Sequence, residues 1–478
     1  MQVLLLILVA VVMLPFDPGA GWTDLASAFT LGGMLALIGS AWIASAMLRR
    51  GIHGPHARRR IEQAARVQRL LQWLAVVLVV VAVTVMGLRD AVRGMIGDPP
   101  FLDELITMAP ALVVIMATWW IFHPFERHVR ESMILRQLDE GIAVQAPQDR
   151  MTWVSMQVRT QMLVLLVPLG LLASVGELVR IVIAANPGMP VWLGGVMSTL
   201  VVVPVLVLAP WLVVRVVGAR PLPPGEVRST LELMCRESGV RVRDLLLWPT
   251  GGAIVNAGVT GVVGWLRWVM LTDGLLETLR REQVMAVMAH ELAHARRHHI
   301  PWMVLSVIGL AGGLALLLDP LVIELRSWRI DLGGDESALV RDLGAIDLVA
   351  TGLVLIGTLV GFGWVSRRFE RQADAFAATS LSRDPEDRPL PVVSVAGIDA
   401  MGSALMDVSG SSGVPSRRFS WRHGSIDSRI RHLQSLAGVE IGSVPIDRTV
   451  RRINALSLFL CVVSGGWWAA QYLAEGVR

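Results

Sequence analysis

A chain of 478 residues that is 54% hydrophobic and 17% charged, with mean hydropathy +0.58, is too apolar for an ordinary soluble protein, so its first-choice class is a membrane protein. All 43 basic residues are arginine, which removes the lysine that a P-loop holds against phosphate and the amine that a Schiff-base enzyme needs. The missing lysine excludes an ATP-driven machine, and the net charge of +4, spread over many loops without a basic stripe interleaved with aromatics, speaks against a nucleic-acid binder. The 17 tryptophans against one tyrosine suit anchoring at the membrane surface. Cys235 and Cys461 form no pair motif and read as free structural thiols.

A bilayer core of about 30 Å needs roughly 20 mostly apolar residues per helix. Nine stretches qualify as candidates: 2–16, 28–48, 71–88, 105–122, 161–183, 191–217, 300–323, 345–365 and 454–474. The first is short, but no basic residue precedes it and no small-x-small cleavage site follows, so it reads as an uncleaved anchor. Arginines gather in the loops holding Arg58, Arg59, Arg60 and Arg66 and then Arg127, Arg130 and Arg136, which predicts that these loops are cytoplasmic. The loops Asp17 to Asp24, Asp90 to Glu104, Asn186 to Pro190 and Glu324 to Asp342 are acidic or nearly uncharged and are expected outside.

This alternation divides the chain into an amino-terminal membrane bundle of about six spans (1–217), a first cytoplasmic segment (218–299), a transmembrane hairpin (300–365), a second cytoplasmic segment (366–453) and a last span (454–478). The predicted fold class is mainly α, a polytopic helical membrane protein of about nine spans with a cytoplasmic α+β domain interrupted by the hairpin. In the first cytoplasmic segment, Gly225 to Gly239 has helical apolar spacing, while Leu245 to Trp248, Ala253 to Thr260 and Trp268 to Thr272 read as short strands. Arg281 to His299 then reads as one helix running into the seventh span.

That helix carries His290-Glu291-Leu292-Ala293-His294, an H-E-x-x-H whose spacing of four sets both imidazoles on one face as two ligands of a single metal. Glu291 is placed to reach a water beside the metal, where a general base belongs. A catalytic zinc takes three protein ligands. The metzincin pattern would put that third ligand at position 300, preceded by glycine at 297, but the chain has Ile300 and Arg297. His298 and His299, continued along a straight helix, move away from the pair and read as basic surface residues. Glu370 and Asp374, one turn apart where the eighth span leaves the membrane, supply a better source. One of the two can complete the metal's ligands while the other accepts a hydrogen bond from a ligand imidazole.

Both motifs, in order and spacing, resemble the HtpX and CAAX-prenyl-protease group of integral-membrane zinc peptidases, gluzincins whose third ligand comes from an E-x-x-x-D helix after a membrane hairpin. The resemblance covers roughly 220 to 435 and implies a zincin-like domain with Glu370 as ligand and Asp374 behind it. It extends to Asn256-Ala257, similar to an edge strand that holds substrate backbone, and to Leu271-Thr272-Asp273-Gly274-Leu275-Leu276 before the catalytic helix. It also reaches His423 and Arg429, matching a histidine followed by Arg-Ile that is thought to stabilise the oxyanion, although Gly424 stands where that family often has proline.

The function these readings imply is an ATP-independent membrane zinc endopeptidase. One Zn2+ is held by His290, His294 and Glu370, Glu291 is the base, His423 and Arg429 support the developing charge, and substrate lies along residues 253–258. Membrane-protein quality control follows from the likeness; the expected partners are membrane-associated or unfolded polypeptide and the lipid bilayer, with no nucleotide or nucleic acid. The alternatives are a narrow processing peptidase acting on a prenylated or precursor chain, and a silent zinc-stabilised scaffold, against which Glu291 speaks because a structural site needs no base. Arginine without lysine points to a GC-rich prokaryotic genome, hence a prokaryotic cell membrane with the active site on its cytoplasmic side.

Overall fold

The computed structural model describes residues 2–13, 23–52, 54, 56–139, 146–189, 191–384, 386, 388–411 and 415–475. The first helices are α1 (Gln2–Met13), α2 (Thr23–Arg49), α3 (Ala57–Thr84), α4 (Leu88–Ile96) and α5 (Leu102–Asp139). Next, α6 (Arg150–Gln157) runs through a π-helical turn (Val158–Leu163) into α7 (Val164–Ala184), followed by α8 (Val191–Val217) and α9 (Glu226–Glu237). The remainder are α10 (Asp273–Thr278), α11 (Arg281–Arg296), α12 (His299–Asp331), α13 (Glu336–Ser380), α14 (Val395–Ser411), α15 (Ile426–Gln434) and α16 (Pro445–Glu475). Among the described residues four short strands, β1 (Arg220–Pro221), β2 (Asp244–Trp248), β3 (Ala257–Thr260) and β4 (Trp268–Thr272), form one sheet in the order β1-β2-β4-β3.

Among the described residues eight helices are long and apolar enough to cross a membrane, one fewer than the nine stretches the sequence suggests. The difference is α1, whose 12 residues rise only about 18 Å against a core of about 30 Å. The protein is a multi-pass integral membrane protein, mainly α-helical with a small sheet.

The chain forms two compact units. One comprises Met1–Pro221, Leu246–Ile254 and Thr272–Glu277. Its core is built on fully buried Leu5, Leu8, Met108 and Ile115, aliphatic side chains that have no polar group to satisfy. At the start of α5, buried Asp103 takes Arg93 at 2.6 Å and Glu104 takes Arg89 at 3.0 Å. The Asp273 carboxylate gathers a tight turn, accepting from the backbone N–H groups of Thr250, Gly251 and Gly274 at 2.7–3.0 Å. A Cβ at Gly274 would meet the Ile254 carbonyl at 2.6 Å, so only glycine fits beneath that turn.

The second unit comprises Leu222–Leu245, Val255–Leu271 and Thr278–Arg478. Here β3 pairs antiparallel with β4, Ala257 opposite Leu271 and Val259 opposite Val269, which leaves the other side of β3 as the sheet's edge. In its membrane part α12 packs on both α13 and α16. Small residues permit the close approach: Gly309 faces the Ser457 carbonyl, Gly361 faces Leu310, and the Ser306 and Ser457 hydroxyls bond at 2.9 Å. Beyond it, α11 packs on α13 and α14 around Ala286, Ala289, Phe369, Ala377 and Met401. The N–H of Arg280 donates to Gln283 Oε1 at 2.9 Å, closing the first turn of α11, and Gln283 Nε2 in turn donates to Asp407 of α14 at 2.6 Å. This packing lays α11 beside the stretch of α13 that leaves the apolar span.

Candidate metal centre

All the groups of the centre lie in the second unit. On α11, His290 and His294 bring their Nε2 atoms to 3.2 Å from one another, as the i, i+4 spacing requires. From α13, Glu370 Oε2 stands 3.6 Å from His290 Nε2 and Oε1 stands 3.9 Å from His294 Nε2. One donor atom from each of the three falls within 4.8 Å of the others. Two imidazole nitrogens and one carboxylate oxygen converging on a point, with His290 8% and Glu370 6% exposed, are a donor set that fits a three-ligand zinc site. His290 and His294 cannot both carry a proton on the facing nitrogens, and a cation between them resolves that conflict.

Behind the ligands, Asp374 Oδ1 lies 3.0 Å from His290 Nδ1. Asp374 is fully buried and is gripped by the Arg429 fork, Nε donating to Oδ2 at 2.8 Å and Nη2 to Oδ1 at 2.5 Å. The third guanidinium nitrogen, Nη1, is 3.3 Å from Glu370 Oε2. The sequence reading gives Arg429 to the oxyanion; here all three of its nitrogens are engaged with the two carboxylates. His423 Nδ1 stands 2.9 Å from Glu370 Oε1 with its side chain half exposed, so it is the group of this pair that borders open space.

Burial opposes charge on His290, but the hydrogen bond and charge of Asp374 prevail and raise its pKa. His294 lacks a carboxylate partner of that kind: burial, then the neighbouring His290, holds it well below the usual histidine range, which leaves it neutral and able to ligate. Burial pushes Glu291 above the ordinary carboxylate range, partly countered by His290. Its Oε2 accepts the Val259 N–H of β3 at 3.1 Å, so the strand edge and the carboxylate meet directly. Because side and edge alternate along a strand, Ala257 shares the orientation of Val259, and the adjacent Asn256 is exposed.

His299 corrects the expectation of a surface residue. His298 is exposed, but His299 is fully buried, its Nδ1 2.8 Å from His294 Nδ1 and its Nε2 2.8 Å from Gln372 Oε1. It stacks on Phe369 with ring centroids 4.6 Å apart. The physical reason is a break in the helix: α11 ends at Arg296, His298 adopts a left-handed φ of 54°, and α12 begins at His299, which turns that ring back toward the ligands. The sequence signal for this break is Pro301, which has no N–H to donate to Arg297 in a continuous helix.

Comparison with known proteins matches residues 221–437 to peptidase family M48. A "Protease HtpX homolog" of Thermoanaerobacter pseudethanolicus is 28% identical over 240 residues, 46% of this chain and 76% of that protein. A second, from Caldanaerobacter subterraneus subsp. tengcongensis, is 30% identical over 198 residues, 38% of this chain and 62% of that protein. The crystal structure of S. mikatae Ste24p aligns over 87% of this chain at 15% identity with a TM-score of 0.46.

Proposed function

We propose, from the peptidase family M48 domain that residues 221–437 carry, that this chain is a membrane-embedded zinc endopeptidase using Glu291 as its general base. His290, His294 and Glu370 hold the metal; when bound, zinc supplies the Lewis acid that activates water and polarises the peptide carbonyl. Glu291 takes the proton from the attacking water and returns it to the leaving amine. A pKa that burial pushes above the ordinary carboxylate range suits it to both duties. His423, on the open side of Glu370, donates toward charge that develops on the substrate oxygen. Arg429 and Asp374 act one step back, fixing Glu370 and His290 in place.

Substrate adds as a strand along the edge of β3, where Ala257 offers backbone groups while the Val259 N–H is held by Glu291. Such recognition reads backbone more than side chains and suits unfolded or misassembled membrane polypeptides. The arginine-rich loops support an active site on the cytoplasmic side, and arginine without lysine supports a prokaryotic cell membrane.

The observation that carries this reading is Glu291 Oε2 at 3.1 Å from the strand-edge Val259 N–H, beside three converging metal donors. The test is cleavage of an unfolded casein by the detergent-purified protein, with zinc content assayed alongside. A narrow processing enzyme would bind one zinc and leave casein intact while cutting its own precursor; a scaffold would cut nothing.

A further inference from the structure

The metal centre is connected to the amino-terminal turn of α16 by a line of hydrogen bonds that crosses four helices. It runs from His294 on α11 to His299 at the head of α12, to Gln372 on α13, to Asp447 on α16. Gln372 Nε2 donates to Asp447 Oδ1 at 2.6 Å, and Arg297 Nη2 donates to the other Asp447 oxygen at 3.0 Å. Every ring and amide in the line from His299 to Gln372 is buried.

The direction of each bond follows from its far end. A carboxylate only accepts, so Asp447 obliges Gln372 to present its N–H2 group there and its carbonyl oxygen to His299. Facing an acceptor, His299 Nε2 must carry the ring proton, and its Nδ1 is left as a lone pair. His294 Nδ1 must then be the donor across the 2.8 Å contact, which bares the Nε2 lone pair that faces His290 and Glu370. Reversing the Gln372 amide would reverse every donor and place a proton on His294 Nε2, where a metal could not bind.

We propose that His299, Gln372 and Asp447 are positioning residues that set the His294 tautomer for metal binding, making the α16 carboxylate a determinant of zinc affinity. The inference rests on the metal-site reading above, and it assigns His294 a partner distinct from the Asp374–Arg429 pair that serves His290. It also explains why His299 is folded inward, since no other group in the relay is placed to accept from His294 Nδ1.

The test titrates zinc into the chelator-stripped, full-length protein in competition with a chromogenic chelator. Asp447→Ala, which touches no ligand, is expected to weaken zinc binding by about 10- to 100-fold, the usual effect of removing an outer partner of a ligand histidine. Gln372→Met removes the acceptor of His299 directly, is expected to give the same loss, and serves if Asp447→Ala does not fold. The double variant Gln372→Glu with Asp447→Ala keeps the net charge and returns an acceptor-only group opposite His299, so it is expected to recover most of the affinity. Native affinity in both single variants overturns the relay, as does a double variant no tighter than Asp447→Ala alone. A native protein that binds no zinc overturns the metal site itself, a result distinct from tight native binding with indifferent variants.

Discussion

Arg429 and Asp374 form a two-point ion pair, Nε to Oδ2 at 2.8 Å and Nη2 to Oδ1 at 2.5 Å, with both side chains buried. Desolvation disfavours the guanidinium charge, yet the carboxylates of Asp374 and Glu370 raise the arginine's pKa further still. Removing the cation would leave two buried carboxylates with only the imidazoles of His290, His294 and His423 beside them. Arg429→Ala is therefore expected to cost about 3 kcal/mol or more, seen as a lowered melting temperature of the metal-free protein, with Arg429→Lys recovering only part because it lacks the planar fork. An unchanged melt in Arg429→Ala contradicts the anchoring role.

Asp374→Asn keeps the shape beside His290 but removes the charge that favours proton donation from Nδ1, across a contact of 3.0 Å. Zinc affinity is expected to fall by about 10- to 100-fold, measured by chelator competition. Equal affinity in the variant would show that His290 is oriented by its helix alone.

Cys235 lies in α9 at 4% exposure, and burial pushes its thiol up to about 11. A raised thiol pKa means less thiolate, about one part in a thousand at pH 8, and thiolate is the reactive form. Iodoacetamide is expected to leave Cys235 unlabelled in the native protein at pH 8 and to label it after denaturation, as read by peptide mass spectrometry. Rapid labelling of the folded chain contradicts the buried placement.

Gly397 on α14 sits against the end of α13, where an added Cβ would meet the Ala378 carbonyl at 2.4 Å and Ser382 Oγ at 2.9 Å. The first neighbour is backbone and cannot swing aside. Gly397→Ala is expected to destabilise by about 1–3 kcal/mol despite the better helix propensity of alanine, seen in thermal unfolding. A stabilised variant would mean that the two helices are free to separate.

Much of the centre is legible in the sequence because its parts are local. His290 and His294 are paired by one helical turn, and Glu370 and Asp374 by another, so each motif needs only a helix to form. The membrane helices are legible for the same reason, through continuous apolar length; of the stretch 2–16 the described residues reach only to Met13, the last residue of α1. What escapes is the part that depends on where a helix stops. A non-glycine residue in the left-handed region, His298, reverses the fate of His299, and nothing in Arg296-Arg297-His298-His299 marks it except the proline that follows. Gln372 and Asp447 escape because their meeting across 75 residues is a product of helix packing that no spacing encodes. Arg429 is legible as a residue but not in its partners: only the fold shows its nitrogens spent on Asp374 and Glu370.

The most direct measurement is casein cleavage by purified native protein and by Glu291→Gln, each assayed for zinc. The expected result is one zinc in both proteins with cleavage lost by about 100- to 10,000-fold in the variant, the usual worth of a positioned general base. Cleavage that survives in Glu291→Gln at the native rate, with zinc retained, would contradict the assignment of Glu291 and the mechanism built on it.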